Sequence, residues 1–196
     1  MKLAKTMIAV LILTNAVCGC VPLVIGGAAA TGGAVAYSRR TPAKFVDDES
    51  IELRARLAIL EDQDLEHQIH INIISYNGIV LMVGQAPTEQ LRAQTEDIVR
   101  KVPNTVMIHN EMSIAAPSSM MSRSSDSIIT GKVKIKILDV TNEDESNGLR
   151  TKVVTENGII YLMGLLSRKE ADDVTNAART VGGVQKVVKL FEYTDG

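Results

Sequence analysis

His67 and His70 stand three apart beside Asp64 and Glu66, residue types and a spacing that a metal half-site could use. The corresponding stretch of the second half of the chain has no histidine, so the pair reads as loop and strand start, and no metal is expected. No Gly-x-Ser-x-Gly frames the serines near residues 118–125, and the two cysteines, Cys18 and Cys20, lie beside an apolar N-terminal run, not in a nucleophile's setting. The glycine pairs at 26–27 and 32–33 lack the Lys-Ser/Thr of a phosphate loop. No catalytic residue, cofactor or small-molecule substrate is therefore expected. The spacing that could act on a surface is Ile128, Lys132, Ile135 and Lys136, which share one face if the segment is helical. Cationic and apolar side chains on one face suit a lipid headgroup layer, each lysine contributing about 1 kcal/mol near an anionic surface.

That face depends on a repeat. Asn77-Gly78 followed by Ile79-Val80-Leu81-Met82-Val83-Gly84 returns as Asn157-Gly158 followed by Ile159-Ile160-Tyr161-Leu162-Met163-Gly164. Asn-Gly between Ile/Val-rich runs is the signature of a hairpin whose two turn residues need positive φ. The interval is too long for a solenoid unit, so each hairpin is expected to centre its own small domain. The match extends upstream, where Asp48-x-x-Ile51 aligns with Asp126-x-x-Ile129, and downstream, where Val102-Pro103-Asn104-Thr105 aligns with Val181-Gly182-Gly183-Val184. We take Asn77, Gly78, Gly84, Asn157, Gly158, Gly164, Gly182 and Gly183 as structural turn residues.

Read in order, Ser50 caps a helix with Ile51, Ala55, Ala58 and Ile59 on its buried face, while Leu53, Leu57 and Leu60 form a second stripe, read as more core, with an interface as the alternative. Strands are expected at 69–76, 79–85 and 105–114, with a helix opened by Pro87-Thr88 and stopped by Pro103-Asn104. After a linker at 116–124, the second copy gives a helix at 126–138, strands at about 149–156, 159–166 and 184–193, and a helix at 168–181 opened by the capping box Ser167-x-x-Glu170. Lys132 to Ile137 alternates with period two, which alone favours a strand; alignment to 50–60 makes it helical. The domains are thus expected at 47–115 and 125–194.

Across its 196 residues the chain has no Trp and 3% aromatics, leaving few stacking platforms and arguing against nucleic acid as a partner. Net charge is −2, with acids outnumbering bases more than twofold in the first repeat and balanced in the second, so the two copies should differ in partner. Lys2 and Lys5, the apolar run Met7 to Val17 and then Val17-Cys18-Gly19-Cys20 read as an export signal over residues 1–19 ending in a sequence that resembles the bacterial lipobox, with Cys20 as the lipidated residue. Residues 20–46 read as a lipidated start and a Gly/Ala-rich tether.

Together, the Asn-Gly hairpins ending in Gly, the capped helix after the second, Val181-Gly182-Gly183-Val184 and the final strand resemble BON domains; two behind a lipobox are similar to the dual BON-domain outer-membrane lipoproteins of Gram-negative bacteria. The resemblance implies an α+β fold of two tandem domains, each αββαβ with a small three-stranded mixed sheet packed by two helices. It also implies anionic phospholipid as partner through the second domain, on a lipid-anchored protein facing the periplasm that supports outer-membrane integrity. The chain departs from the family at Pro103-Asn104, usually glycine, and at Ile128, where a tryptophan often stands. A periplasmic adaptor for an envelope protein partner is the alternative reading.

Overall fold

The computed structural model describes residues 39–140 and 150–194. The export signal, Cys20 and most of the tether lie outside the described residues. The elements are α1 (Pro42–Leu60), α2 (Gln63–Glu66), β1 (His70–Tyr76), β2 (Ile79–Ala86), α3 (Glu89–Arg100), β3 (Met107–Ile114), α4 (Met120–Val140), β4 (Thr151–Glu156), β5 (Ile159–Leu166), α5 (Arg168–Arg179) and β6 (Lys186–Tyr193). Two three-stranded sheets form, in the orders β1-β2-β3 and β4-β5-β6. In each, the hairpin is antiparallel and the last strand joins the middle one in parallel.

Asn77 and Asn157 have φ of 55° and 49°, and the glycines after them 82° and 73°, as an Asn-Gly hairpin turn requires. The aligned aspartates complete both turns. Asp48 accepts from the Asn77 and Gly78 backbone N–H groups at 2.8 Å, and Asp126 from those of Asn157 and Gly158 at 2.8 and 2.9 Å. Each carboxylate satisfies two turn donors, of which the glycine N–H is buried, and so fixes its helix on its own hairpin.

Several boundaries differ from those the sequence suggests. Ser50 lies in mid-helix, since α1 starts two turns earlier, at Pro42 inside the segment read as tether, with Thr41 as N-cap and proline at the first position. A separate helical turn, α2, follows α1, capped by Asp62. Helix α4 begins within the supposed linker: Ser119 Oγ accepts from Ser122 N at 3.2 Å, and Ser124 and Ser127 hydroxyls donate to carbonyls four residues back. Those local bonds let a serine-rich run join a helix. Gly84 and Gly164 sit inside β2 and β5, not in turns. The last helix ends at Arg179, with Thr180 as C-cap and Gly183 at a φ of 100°.

Each sheet has a helix-covered core. Ile51, Ala55 and Ile59 of α1 meet Ile73, Val80, Met82 and Val99; Ile129, Val133 and Ile137 of α4 meet Val153, Ile160, Leu162, Ala171, Val174 and Ala178. The stripe Leu53, Leu57 and Leu60 is not core: these residues are 56%, 51% and 49% exposed. A third core lies between the two domains, because the other faces of the sheets pack on each other. Ile74, Tyr76, Leu81 and Val83 meet Val154, Tyr161 and Met163 there. Strands β2 and β5 are therefore buried on both faces, which is why their sequences run apolar without alternation. Polar ties frame the contact. Gln85 Nε2 donates to Glu156 at 2.6 Å, Lys152 to Glu52 at 2.6 Å, and Tyr76 Oη accepts from Leu165 N at 3.2 Å while donating to Arg150 O at 3.2 Å.

Candidate functional site

Helix α4 is held by one side. Asp126 caps the hairpin turn, Thr130 Oγ1 lies 2.6 Å from Thr155 Oγ1 of β4, and Ile129, Val133 and Ile137 are buried. Gly183 lets the helix sit close, since a Cβ there would lie 3.0 Å from Ile129 Cδ1. At about 100° per residue, these anchors leave the opposite face to solvent.

On that face the structure brings together all four residues singled out from the sequence. Ile128 and Ile135 are 59% and 69% exposed, and Lys132 and Lys136 are exposed beside them. Lys136 Nζ lies 3.9 Å from Asp139, and the Lys132 side chain has no hydrogen bond or ion pair among the described residues. Sequence reasoning missed Met121, 83% exposed, because it placed the residue in a linker; the signal was its position two turns before Ile128, as Ile128 is two turns before Ile135. Leu138, 42% exposed, and Lys134 edge the same surface. The result is a line of three large apolar side chains, each about 10 Å from the next, flanked by lysines. The period-two alternation of Lys132 to Ile137 gives way to a helix in which Val133 and Ile137, four residues apart, are buried, while Ile135 between them is exposed along with Lys132, Lys134 and Lys136.

The other sequence candidates do not converge. His67 pairs with Glu66 at 3.0 Å, while His70 lies 3.9 Å from Glu156 across the contact between sheets. Burial holds the His70 pKa below its ordinary value, with Arg123 adding to the shift and Glu156 opposing it. Among the described residues no group of three or more His, Cys, Asp or Glu could hold a metal, and no helix is long and apolar enough to cross a membrane. A cleft of about 440 Å³ between the sheets' edges is lined by Arg56, His70, Arg123, Thr130 and Glu156 among others. Its walls carry no aligned nucleophile and base, so the exposed face of α4 is the better-formed candidate.

Comparison with known proteins agrees with this architecture. Residues 47–116 and 125–195 match the BON domain. The chain is 32% identical over 177 residues, 90% of either chain, to the outer membrane lipoprotein DolP of Haemophilus influenzae. It is 35% identical over 154 residues to a 21 kDa hemolysin of Actinobacillus pleuropneumoniae, covering 79% of this chain and 78% of that one. Among solved structures, CdsD, a structural protein of the type III secretion system of Chlamydia trachomatis, matches with 11% identity and a TM-score of 0.24, over 68% of this chain and 91% of that chain. A superposition that loose adds nothing to the assignment.

Proposed function

The chain belongs to the dual BON-domain outer-membrane lipoproteins, and from that premise we propose that it is a non-enzymatic, periplasm-facing protein that binds anionic phospholipid with the exposed face of α4 and so supports outer-membrane integrity. One observation carries the reading: Ile128, Lys132, Ile135 and Lys136 stand together in solvent while Ile129, Val133 and Ile137 hold the opposite face of α4 in the core. Helix α4 lies along the surface, its isoleucines entering shallowly between headgroups and its lysines pairing with phosphates. Two or three lysines at about 1 kcal/mol each, with partial burial of the isoleucines, make a weak and reversible attachment. Acyl chains on Cys20, at roughly 0.8 kcal/mol per buried CH₂, dominate the anchoring. The helix then selects the surrounding lipids and does not itself hold the protein on the membrane.

Vesicle binding tests this on the whole folded chain, because a lone second domain would expose Val154, Tyr161 and Met163. Lys132→Glu with Lys136→Glu is expected to abolish binding to vesicles rich in anionic phospholipid, with an unchanged thermal transition, since both side chains are exposed. Ile128→Asp should weaken it. Binding of the parent chain should fall as the Debye length shrinks from about 10 Å at 0.1 M salt toward 3 Å at 1 M. Equal binding to neutral vesicles, or a double variant that binds like the parent, would sink the lipid reading.

The anchor is tested separately. Mass spectrometry of the mature N-terminus should show an acylated residue 20, and Cys20→Ser should leave an unprocessed or unanchored chain. An unmodified N-terminus at another position would remove the lipid anchor from the proposal.

A further inference from the structure

Helix α1 presents a second apolar line of a different kind. Val46, Leu53, Leu57 and Leu60 are 66%, 56%, 51% and 49% exposed, and with half-buried Ser50 they alternate at intervals of four and three residues. That is the spacing of a helix-pairing seam, in which such positions keep facing one partner helix. The line on α4 lacks it, since Gly131 and Lys132 fall where a seam would need apolar residues. The charges beside the α1 seam are mixed. Glu49 and Arg56 lie along one flank, Arg54 and Glu61 along the other; all four are exposed, and none of their side chains has a hydrogen bond or ion pair among the described residues.

We propose that the α1 seam pairs in parallel with the α1 seam of a second copy of this chain. In a parallel pair, a residue on one flank meets the partner residue five positions further along on the opposite flank. Glu49 then meets Arg54 of the second copy and Arg56 meets its Glu61, and symmetry doubles both pairs. Every exposed flank charge gains an opposite partner. Each seam residue also meets itself, so the three leucines stack on leucines and Ser50 faces Ser50. The antiparallel register with the best charge match sets Ser50 against Leu53 and Leu60 against Ala43, burying less apolar surface. The parallel arrangement brings the two Thr41 caps together, so both chains leave α1 toward one side. This suits two copies tethered at one membrane, although the pairing does not depend on the lipid reading of α4.

A seam of under three heptads buries less than the roughly 1,200 Å² of a stable interface, so the pair is weak in dilute solution and forms where anchoring concentrates the copies. The test therefore uses the whole chain in the membranes of cells producing it. Leu60→Cys, oxidised in place, should give a disulfide-linked species of twice the chain mass. Parallel pairing sets the two positions within disulfide reach, whereas the antiparallel register separates them by about 25 Å. The parent chain controls for linkage through Cys20, and Ile128→Cys, on the other helix, should link far less. Adding Glu49→Arg should lower the linked fraction about tenfold, and adding Arg54→Glu to that variant should restore it, because the reversed pair is again complementary. A merely apolar contact would not be rescued by the second reversal. No linkage at position 60, linkage there only to another protein, or an unrescued Glu49→Arg would each overturn the proposal; linkage to another protein would favour an adaptor.

Discussion

Gly84→Ala is expected to abolish the cooperative folding of this protein. In β2 Gly84 pairs with Ile71 of β1 and Met112 of β3, and its φ is 133°, a region L side chains rarely adopt. A Cβ there would stand 2.0 Å from the His70 carbonyl oxygen and 2.9 Å from its carbon. Both atoms are backbone held in the sheet, so nothing can rotate away. Relief requires separating β1 from β2, the hairpin on which the first core rests. The cost, more than about 4 kcal/mol, is comparable with the whole stability of a small domain. The repeat supplies the control. Gly164 aligns with Gly84, but its φ lies outside the left-handed region, and a Cβ there meets Arg150 O at 3.1 Å and the Leu166 side chain at 3.2 Å. Gly164→Ala should cost on the order of 1 kcal/mol. Urea unfolding of the two variants measures the contrast, and equal costs would show that the strain at Gly84 is relieved without breaking the pairing.

The second large effect is expected at Tyr161→Ala. The ring is 3% exposed and lies in the core between the two sheets, where burial first, and Glu111 and Glu156 after it, push its pKa to about 12, so it stays a neutral phenol. Removing a buried aromatic ring costs about 3–5 kcal/mol through lost contacts and the cavity left behind. Two tandem domains with separate cores would lose this stability only in the second. With a shared core the loss should reach both: the parent should melt in one transition, and in the variant amide exchange should accelerate in β1 and β2 as well as in β4 and β5. Faster exchange confined to residues 151–193 would show that the first domain stands without its neighbour.

What the sequence alone determined was local. Asn-Gly needs positive φ, Ser167 and Glu170 cap a helix reciprocally, and Ile129, Val133 and Ile137 recur at helical spacing, so the repeat, its element order and the exposed side of α4 were all legible. These are short-range constraints that the backbone obeys wherever the segment is placed. The family resemblance was legible for the same reason, since its motifs are turns and caps. Where local signals competed, they misled: Ser50 is a good cap, yet Thr41-Pro42 is a better one two turns upstream, and serines that suggest a linker form helix once their hydroxyls bond back to the preceding turn.

What only the tertiary structure decided was which apolar surfaces meet. The unbroken runs Val80 to Val83 and Ile160 to Met163 carried the signal of strands buried on both faces, but a run cannot say whether its second face meets a helix, a sheet or another chain. The leucine stripe of α1 has the same composition as a core face and lies in water. Gly84 and Gly164 stand at equivalent places in sequence, and only the left-handed φ of Gly84 with the close approach of the His70 carbonyl makes one of them irreplaceable. Burial is a property of pairs of segments distant in the chain, and one-dimensional patterning fixes a residue's side of its own element without fixing what lies beyond it.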